Sequence, residues 1–255
     1  MDSTFHQQYL EACITIARDA GRVIMTYFSG QFDTRQKEDK SPVTDADIAA
    51  NTLITKELLR LSPHIPIIAE EDEVAGAEGH EMFWLVDPLD GTRSFVRGEP
   101  EFTVNIGLIR NHKPVLGVIY APPQDIMYYG EVGQGAFRIE QDGKATPIKV
   151  RTPSTEGLVV TRSKAHPSAE TAAYMEKLRI REVVSGSSSI KFCMVAEGGA
   201  DIYPRFGRTM EWDTAAGHAI LLAAGGRVET VDGKPLSYGK PGYENPHFIA
   251  FGEQL

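Results

Sequence analysis

Four short apolar runs follow one another between Thr103 and Glu140, and only brief polar turns separate them. The turns contain N-H-K, P-P-Q-D and G-Q-G, and the runs are rich in the β-branched and aromatic residues that favour strands. A crossover between parallel strands needs about a dozen or more residues, which these connections do not provide. The middle of the chain is therefore predicted to form an antiparallel meander, and the rest of the fold must be built around that sheet.

Helical periodicity dominates the chain before the meander. Apolar residues at three- and four-residue steps predict one long helix ahead of Gln31–Pro42, a polar and charged segment expected to be an exposed loop. A second helix is predicted to begin at Thr44 or Asp45 and to end near Pro63. Short strands are predicted at Ile65–Ala69 and Phe83–Val86.

A plausible domain junction, Thr152-Pro153-Ser154, follows the meander. We therefore expect an α+β part at residues 1–150 and an α/β part at 151–255. In the second part, short strands alternate with helical stretches. The strands are Leu158–Thr161 and Glu182–Val184, and the helices are Ile190–Glu197 and Asp213–Ala224.

Charge and composition exclude several classes of function. The 255 residues include 26 Lys and Arg against 35 Asp and Glu, so the formal net charge is −9. Grooves for nucleic acids and sites for anionic membranes require clustered cations, so this balance argues against both. The longest strongly apolar stretch, Ala219–Ala224, is far shorter than the roughly 20 residues of a membrane helix. With no secretory signal pattern, and with Cys13 and Cys193 expected to be reduced thiols, the sequence predicts a cytoplasmic protein.

The stretch Phe83–Phe95 contains the strongest chemical signal. An apolar strand runs into Asp87, and Pro88 disfavours helical geometry at the residue before it, so Asp87 is expected at the end of the strand. Asp90 follows across a tight turn, and Gly91 leads into a helical stretch. Two carboxylates beside the N–H groups of a helix start suit a divalent cation that bridges to a phosphate. An Asp-Pro turn with an Asx cap explains the same residues equally well.

Two further acidic segments also have a functional and a plain interpretation. Glu70 stands at the end of the strand Ile65–Ala69, where it would share a metal with Asp87, although an isolated acidic run is more often a solvated loop. Asp213 is well placed to cap the Ala-rich helix, and a capping Asp needs no metal to explain it. If Asp213 met Asp87 and Asp90, it would instead complete a second metal site.

A cluster of hydroxyl and basic side chains in the second part forms a candidate anion site. Ser188 and Lys191 stand at a predicted helix start, where hydroxyl, N–H and ammonium groups attract anions. A Ser-rich cap with a solvated lysine explains this segment equally well. Arg205 and His166 are weaker candidates for the same ligand, because a lone Arg or His is more often an ordinary surface residue.

Taken together, the segments V-D-P-L-D-G-T, A-E-E-D, S-P-V-T-D-A-D and W-D-T-A-A-G resemble the inositol monophosphatase superfamily of magnesium-dependent, lithium-sensitive phosphatases. Within it, E-F-T-V-N-I-G-L-I and Y-P-R-F-G are most similar to the 3′(2′),5′-bisphosphate nucleotidases of the bacterial CysQ type. The likeness covers nearly the whole chain. It implies an alternating α/β/α/β/α layered sandwich with an antiparallel N-terminal sheet and a smaller C-terminal α/β part. Arg93-Ser94 departs from the Lys-Glu of close relatives, which bears on substrate preference and leaves the metal motifs intact.

The resemblance implies a magnesium site with two or three ions. Glu70, Asp87 and the main-chain carbonyl of Leu89 would hold one Mg²⁺. Asp87, Asp90 and Asp213 would hold the second, so that Asp87 bridges the pair. Four converging carboxylates repel one another strongly, and divalent cations offset that cost.

The resemblance also implies how water and substrate are held. Thr92 would orient the attacking water together with Glu70, and Asp47 would accept a hydrogen bond from the Thr92 hydroxyl. Gly91 and Thr92 would give N–H groups to the scissile phosphate. The positions that match nucleotide contacts in related enzymes are His166, Ser188, Lys191 and Arg205.

The leading functional hypothesis is hydrolysis of the 3′-phosphate of adenosine 3′,5′-bisphosphate to AMP and phosphate, by in-line attack of water at a two-metal site. This reaction is a clearance step linked to sulfate assimilation. The second phosphate of such a substrate needs its own cations, for which Lys191 and Arg205 are the candidates. The alternative is an inositol or other polyol monophosphatase, which does not require them.

A non-catalytic metal- or phosphate-binding protein is the remaining class, and it should have lost one or more ligands, yet all of them are present. The expected partner is a small phosphorylated molecule rather than a nucleic-acid polymer. We expect a monomer or homodimer in the cytoplasm, either free or peripheral on the cytoplasmic face of the inner membrane.

Overall fold

The molecule has five alternating layers of helices and β-sheets, as predicted. The computed structural model describes residues 3–37, 41–72, 80–163 and 168–253. From one surface to the other, the order is a helix pair, a seven-stranded sheet, a second helix pair, a five-stranded sheet and a single short helix.

The outer helix pair confirms the periodicity of the N-terminal sequence. Helix α1 (Ser3–Phe28) and helix α2 (Asp45–Leu61) pack on each other and on one face of the larger sheet. Thr44 is the N-cap of α2, and the Asp47 carboxylate accepts hydrogen bonds from its N–H and hydroxyl. This capping box fixes the point where α2 begins.

The meander is also confirmed, and it is longer than predicted. In the larger sheet all neighbouring strands are antiparallel except the first two, which are parallel. The last strand was not predicted. The strands, in chain order and in sheet order, are β3 (Ile67–Ala69), β4 (Met82–Asp90), β5 (Thr103–Arg110), β6 (Lys113–Ala121), β7 (Ile126–Glu131), β8 (Gly135–Ile139) and β9 (Ala145–Ile148).

The alternation of side chains along β4 decides where its acidic end points. Trp84 and Val86 pack in the core with α1 and α2, whereas Phe83 and Leu85 pack on the opposite face. Because successive side chains of a strand point to opposite faces, Asp87 lies on the same face as Phe83 and Leu85. The prediction that the strand ends at Asp87 is wrong, since pairing with β5 resumes at Asp90 after an irregularity.

The second half of the chain forms the smaller sheet and the helices on both of its faces. The strand order is β11-β10-β12-β14-β13, with the first three strands parallel and the last three antiparallel. The elements are β10 (Leu158–Ser163), α4 (Ala169–Met175), β11 (Ile180–Gly186), α5 (Ile190–Ala196), β12 (Ile202–Arg205), α6 (Glu211–Ala223), β13 (Arg227–Thr230) and β14 (Phe248–Phe251). Helices α5 and α6 lie between the two sheets, and α4 covers the outer face of the smaller one.

Two predictions about local structure need correction. The segment Gln31–Pro42 is not only loop, because β1 (Thr34–Gln36) pairs with β2 (Pro42–Thr44). Asp213 is not the cap of α6: it is the third helical residue, and its carboxylate accepts a hydrogen bond from the N–H of the N-cap, Met210.

One helix and three short strands of the second half were not predicted. Helix α4 and strands β12, β13 and β14 were missed. The proposed division after residue 150 falls between β9 and β10 and stays a prediction. Helix α6, from the second part, packs against the larger sheet of the first part. Both cysteines are free and buried, in agreement with reduced thiols.

Candidate active site

Three carboxylates from distant parts of the chain meet where the larger sheet faces α6. Glu70, Asp87 and Asp213 each offer an oxygen, and these oxygens lie within 4.8 Å of one another. Glu70 directly follows β3, Asp87 lies near the end of β4, and Asp213 lies in the first turn of α6. The structure therefore brings together the three acidic segments singled out in the sequence.

The turn after Asp87 is organised by its own backbone. The Asp87 carboxylate accepts a hydrogen bond of 3.0 Å from the N–H of Leu89, and the Thr92 hydroxyl lies 3.0 Å from the Leu89 carbonyl. Gly91 precedes the short helix α3 (Thr92–Val96) with a φ of 104°, a conformation in which a side chain is strained. A Cβ there would also lie 2.7 Å from the carbonyl oxygen of Glu101, so this position requires glycine.

Asp90 stands beside the three-carboxylate cluster. Its Oδ2 accepts a hydrogen bond of 2.7 Å from the N–H of Ser189 and one of 3.4 Å from the Asn105 amide. Its negative charge raises the pKa values of Asp87 and Asp213, in addition to the larger effect of burial. Asp90 thus belongs to the same electrostatic site, although its carboxylate is already partly paired.

Thr92 and Asp47 are joined by the hydrogen bond that the resemblance implied. The Thr92 hydroxyl lies 2.9 Å from Oδ1 of Asp47, and Asp47 is 1% exposed. Burial raises the pKa of Asp47, and hydrogen bonds from Thr44 and Thr92 oppose that shift. Since the other oxygen of Asp47 caps α2, the position of Thr92 is tied to the start of that helix.

Lys37, which the sequence patterns did not single out, is the cation nearest to the cluster in the described part of the chain. Its ammonium group lies 2.8 Å from Oε1 of Glu70 and 2.6 Å from Oε1 of Glu71. Burial lowers the pKa of Lys37, but the two carboxylates outweigh burial and leave it above its usual value. No sequence signal identified Lys37, because it follows a three-residue strand in a segment that reads as polar loop.

The donor set fits a hard divalent cation. Every side-chain donor at the cluster is a carboxylate oxygen, the ligand type that Mg²⁺ and Ca²⁺ prefer. Burial first, and then the charges of neighbouring carboxylates, raise the pKa of Asp87 and of Asp213 well above the usual 3.8. Buried like charges are costly, and a divalent cation would relieve that repulsion.

At the predicted anion site, the ammonium group of Lys191 already bonds to backbone carbonyls of the preceding segment. Lys191 is 2% exposed, and its ammonium lies 2.7 Å from the Ser188 carbonyl and 5.1 Å from the centre of the Tyr203 ring. Burial lowers the pKa of Lys191 to about 8. Ser188 itself has a φ of 50°, so the lysine holds a strained turn in place.

A cavity of about 380 Å³ lies between α4 and the smaller sheet. Arg205, Tyr203, Met175 and Ala172 are among its lining residues. None of the lining residues belongs to the acidic cluster. Arg205 is the lining residue whose charge acts on Asp213, where it opposes the rise in the pKa of that carboxyl. Nε of Arg205 is buried and has no hydrogen-bond acceptor among the described residues. His166 lies outside the described residues.

Comparisons with known proteins agree with this geometry. Residues 6–250 match the sequence profile described as the inositol monophosphatase family. A Salmonella typhimurium protein named 3′(2′),5′-bisphosphate nucleotidase CysQ is 46% identical over 94% of this chain and 98% of its own length. The Escherichia coli K12 protein of the same name is 44% identical over the same shares.

Solved structures give the same result. CysQ from Bacteroides thetaiotaomicron superposes with a TM-score of 0.85 at 36% identity, covering 98% of both chains. The inositol monophosphatase from Anabaena (Nostoc) superposes with a TM-score of 0.78 at 30% identity, covering 97% of this chain and 91% of that one. The chain belongs to the inositol monophosphatase family, a family of phosphatases.

None of the helices in the described part of the chain has the length and apolar character that a membrane crossing requires.

Proposed function

We propose that this protein is a Mg²⁺-dependent phosphatase that removes the 3′-phosphate of adenosine 3′,5′-bisphosphate to give AMP and phosphate. The observation that carries the proposal is the acidic cluster, in which oxygens of Glu70, Asp87 and Asp213 lie within 4.8 Å of one another. A separate cavity has Arg205 in its wall, and Nε of Arg205 has no hydrogen-bond partner among the described residues. The relatives named bisphosphate nucleotidase support the choice of substrate. We place the reaction in the cytoplasm, in a monomer or homodimer.

The acidic cluster would hold two or three Mg²⁺ ions. Bound Mg²⁺ supplies charge neutralisation for the phosphate and a lowered pKa for coordinated water. The ligands would be Glu70, Asp87, Asp90, Asp213 and the main-chain carbonyl of Leu89.

Thr92 would position the attacking water with Glu70. The Thr92 hydroxyl has one proton and two acceptors within reach, Asp47 at 2.9 Å and the Leu89 carbonyl at 3.0 Å. Donation to Asp47, the charged acceptor, leaves the Leu89 carbonyl free to bind metal and leaves a lone pair on Thr92 to accept a hydrogen bond from water. Asp47 is thus a positioning residue, and Glu70 receives the proton that water loses.

The scissile phosphate would lie against the N–H groups of Gly91 and Thr92. These groups precede or begin α3, so they have no acceptor within that helix. They offer positive partial charge where the phosphate oxygens gain negative charge.

The leaving nucleotide would occupy the cavity. Nε of Arg205 is the group best placed for its 5′-phosphate, and Ser188, Lys191 and His166 remain proposed contacts. Lys191 would act mainly through its charge, because its ammonium group already bonds to backbone carbonyls. A cavity of about 380 Å³ lies within the usual range for small-ligand sites.

A substrate panel with two matched variants tests the proposal. Phosphate release in Mg²⁺ would be compared for adenosine 3′,5′-bisphosphate, its sulfated precursor and inositol 1-phosphate. Ala172 and Ala173 are adjacent and exposed on α4, but only Ala172 lines the cavity. We expect Ala172→Trp to raise the KM for the nucleotide by about tenfold or more, equivalent to roughly 1.4 kcal/mol of binding, and to leave turnover of inositol 1-phosphate unchanged.

Ala173→Trp is the control and should behave as wild type with every substrate. A large preference of the wild-type protein for inositol 1-phosphate would contradict the nucleotide assignment and favour the polyol phosphatase. Absence of phosphate release from all three substrates would contradict the phosphatase function.

A further inference from the structure

Asp213 reaches the acidic cluster from a helix start whose position depends on a distant loop. Its carboxylate accepts a hydrogen bond of 2.7 Å from the N–H of Met210, so the orientation of the side chain follows the backbone of Met210. The carboxylates of Asp87 and Glu70 repel it across less than 4.8 Å. A first turn that was free to move would therefore carry Asp213 away from them.

Asn245, in the loop before β14, ties down both sides of that turn. Its side-chain amide lies 2.8 Å from the Met210 carbonyl and 3.0 Å from the Thr214 hydroxyl, and its own N–H donates to the Thr209 carbonyl at 2.9 Å. Asn245 is 6% exposed. One buried side chain thus spans the residues immediately before and after the segment that contains Asp213.

The loop is in turn anchored on the same helix start. Glu211 is completely buried, and its carboxylate accepts hydrogen bonds of 2.7 Å from the N–H of Gly239 and 3.0 Å from that of Lys240. The Lys240 ammonium lies 2.6 Å from Glu211 and 3.2 Å from Oδ1 of Asn245. These bonds close a ring from Glu211 through Lys240 and Asn245 back to Met210.

We propose that Asn245 is a positioning residue for the metal site: it holds the first turn of α6 so that Asp213 stays beside Asp87 and Glu70. The inference rests on the proposed metal site. Asn245 touches neither metal nor substrate in this role, and it acts only through Met210 and Thr214. Residues that orient metal ligands in this way typically affect metal affinity by 10–100-fold when they are replaced.

Calorimetric titration of the full-length protein with Mn²⁺ alone tests the inference. We expect Asn245→Ala to raise the Mn²⁺ dissociation constant by about tenfold. At saturating metal, its KM for adenosine 3′,5′-bisphosphate should stay near the wild-type value, because the nucleotide cavity is not altered. Asn245→Leu keeps a similar side-chain volume and loses the donated hydrogen bonds without adding a charge, so it gives the same comparison if Asn245→Ala does not fold.

Val228→Ala provides the control. Val228 is buried in β13, so this variant loses stability without any change at the α6 turn, and its Mn²⁺ affinity should match the wild type. Wild-type affinity in a folded Asn245 variant would overturn the inference alone. Absence of Mn²⁺ binding to the wild-type protein would overturn the proposed metal site as well.

Discussion

The pKa of Asp87 is determined by its burial and by the charges around it. Asp87 is 2% exposed and accepts a hydrogen bond from the Leu89 N–H. Burial raises its pKa, and the charges of four neighbouring carboxylates add to that effect: Glu70, Asp90, Asp213 and Glu71. The folded, metal-free protein therefore holds a proton that the unfolded chain releases near pH 3.8. A raised pKa of this kind makes metal-free stability highest below that pH and lowers it as the pH rises. Metal binding would remove this loss of stability at higher pH.

Asp87→Asn is expected to stabilise the metal-free protein at pH 7 by on the order of 1 kcal/mol, because an amide removes the cost of either protonating or charging this buried carboxyl. It should also abolish the rise in Tm that Mg²⁺ produces in the wild type. Thermal unfolding between pH 4 and pH 7, with chelator and with Mg²⁺, measures both effects. An equal Mg²⁺-dependent rise in Tm in both proteins would exclude Asp87 as a ligand.

At the scale of elements, the close approach of α6 to the larger sheet sets the distance between Asp213 and Asp87. Gly107 on β5 and Gly117 on β6 lie under the helix, and a Cβ at Gly117 would be 2.2 Å from the Ala216 carbonyl oxygen. The backbone of α6 can therefore rest almost directly on the strands. A larger residue at Gly117 would have to lift the helix start together with its carboxylate.

Gly117→Ala is expected to destabilise the protein by about 1–3 kcal/mol through overpacking, and to weaken Mn²⁺ binding. Leu116→Ala is the matched control, since Leu116 is fully buried in the core shared with α1 and α2, away from α6. It should lose about 2–5 kcal/mol by leaving a cavity, with unchanged Mn²⁺ affinity. Urea unfolding and Mn²⁺ titration of both variants separate stability from site geometry. Equal Mn²⁺ affinities in the two variants would show that the distance between α6 and the larger sheet does not determine metal affinity.

At the scale of the whole molecule, a buried polar network ties α6 to the segment between β13 and β14. Nδ1 of His218 lies 2.9 Å from the Tyr238 hydroxyl, and the Tyr238 hydroxyl lies 3.3 Å from the Thr214 hydroxyl. The side-chain amide of Asn245 also donates to the Thr214 hydroxyl. Burial lowers the pKa of His218 from 6.5 to about 3. His218 is therefore neutral in the folded protein at pH values where the unfolded chain protonates it.

This shift predicts acid sensitivity. Stability from His218 is fully present above pH 6.5 and is lost as the pH falls toward about 3. The loss between pH 7 and pH 5 is about 2 kcal/mol. His218→Gln keeps a polar partner for Tyr238 and does not titrate, so its unfolding free energy should fall less over this range. Parallel pH dependences in urea unfolding would contradict the prediction.

Long elements with local signals were predicted well. Helices α1 and α2 and the β5–β8 meander could be identified because their patterns repeat over many residues or include short turns. Strands β12, β13 and β14 have four residues each, and the β1–β2 hairpin has strands of three, so their pairing depends on partners far along the chain. Lys37 was missed for the same reason, because its contact with Glu70 depends on that hairpin.

The acidic motifs were visible in the sequence by themselves, because each stands directly after an apolar run or at a helix start, where local rules place it. Their convergence was decided by tertiary structure. Alternation along β4 turns Asp87 toward α6, Gly117 lets α6 lie close to the sheet, and Asn245 clamps the turn that presents Asp213. Periodicity and turn chemistry act over a few residues, whereas buried like charges are held together only by packing and hydrogen bonds between segments more than 100 residues apart.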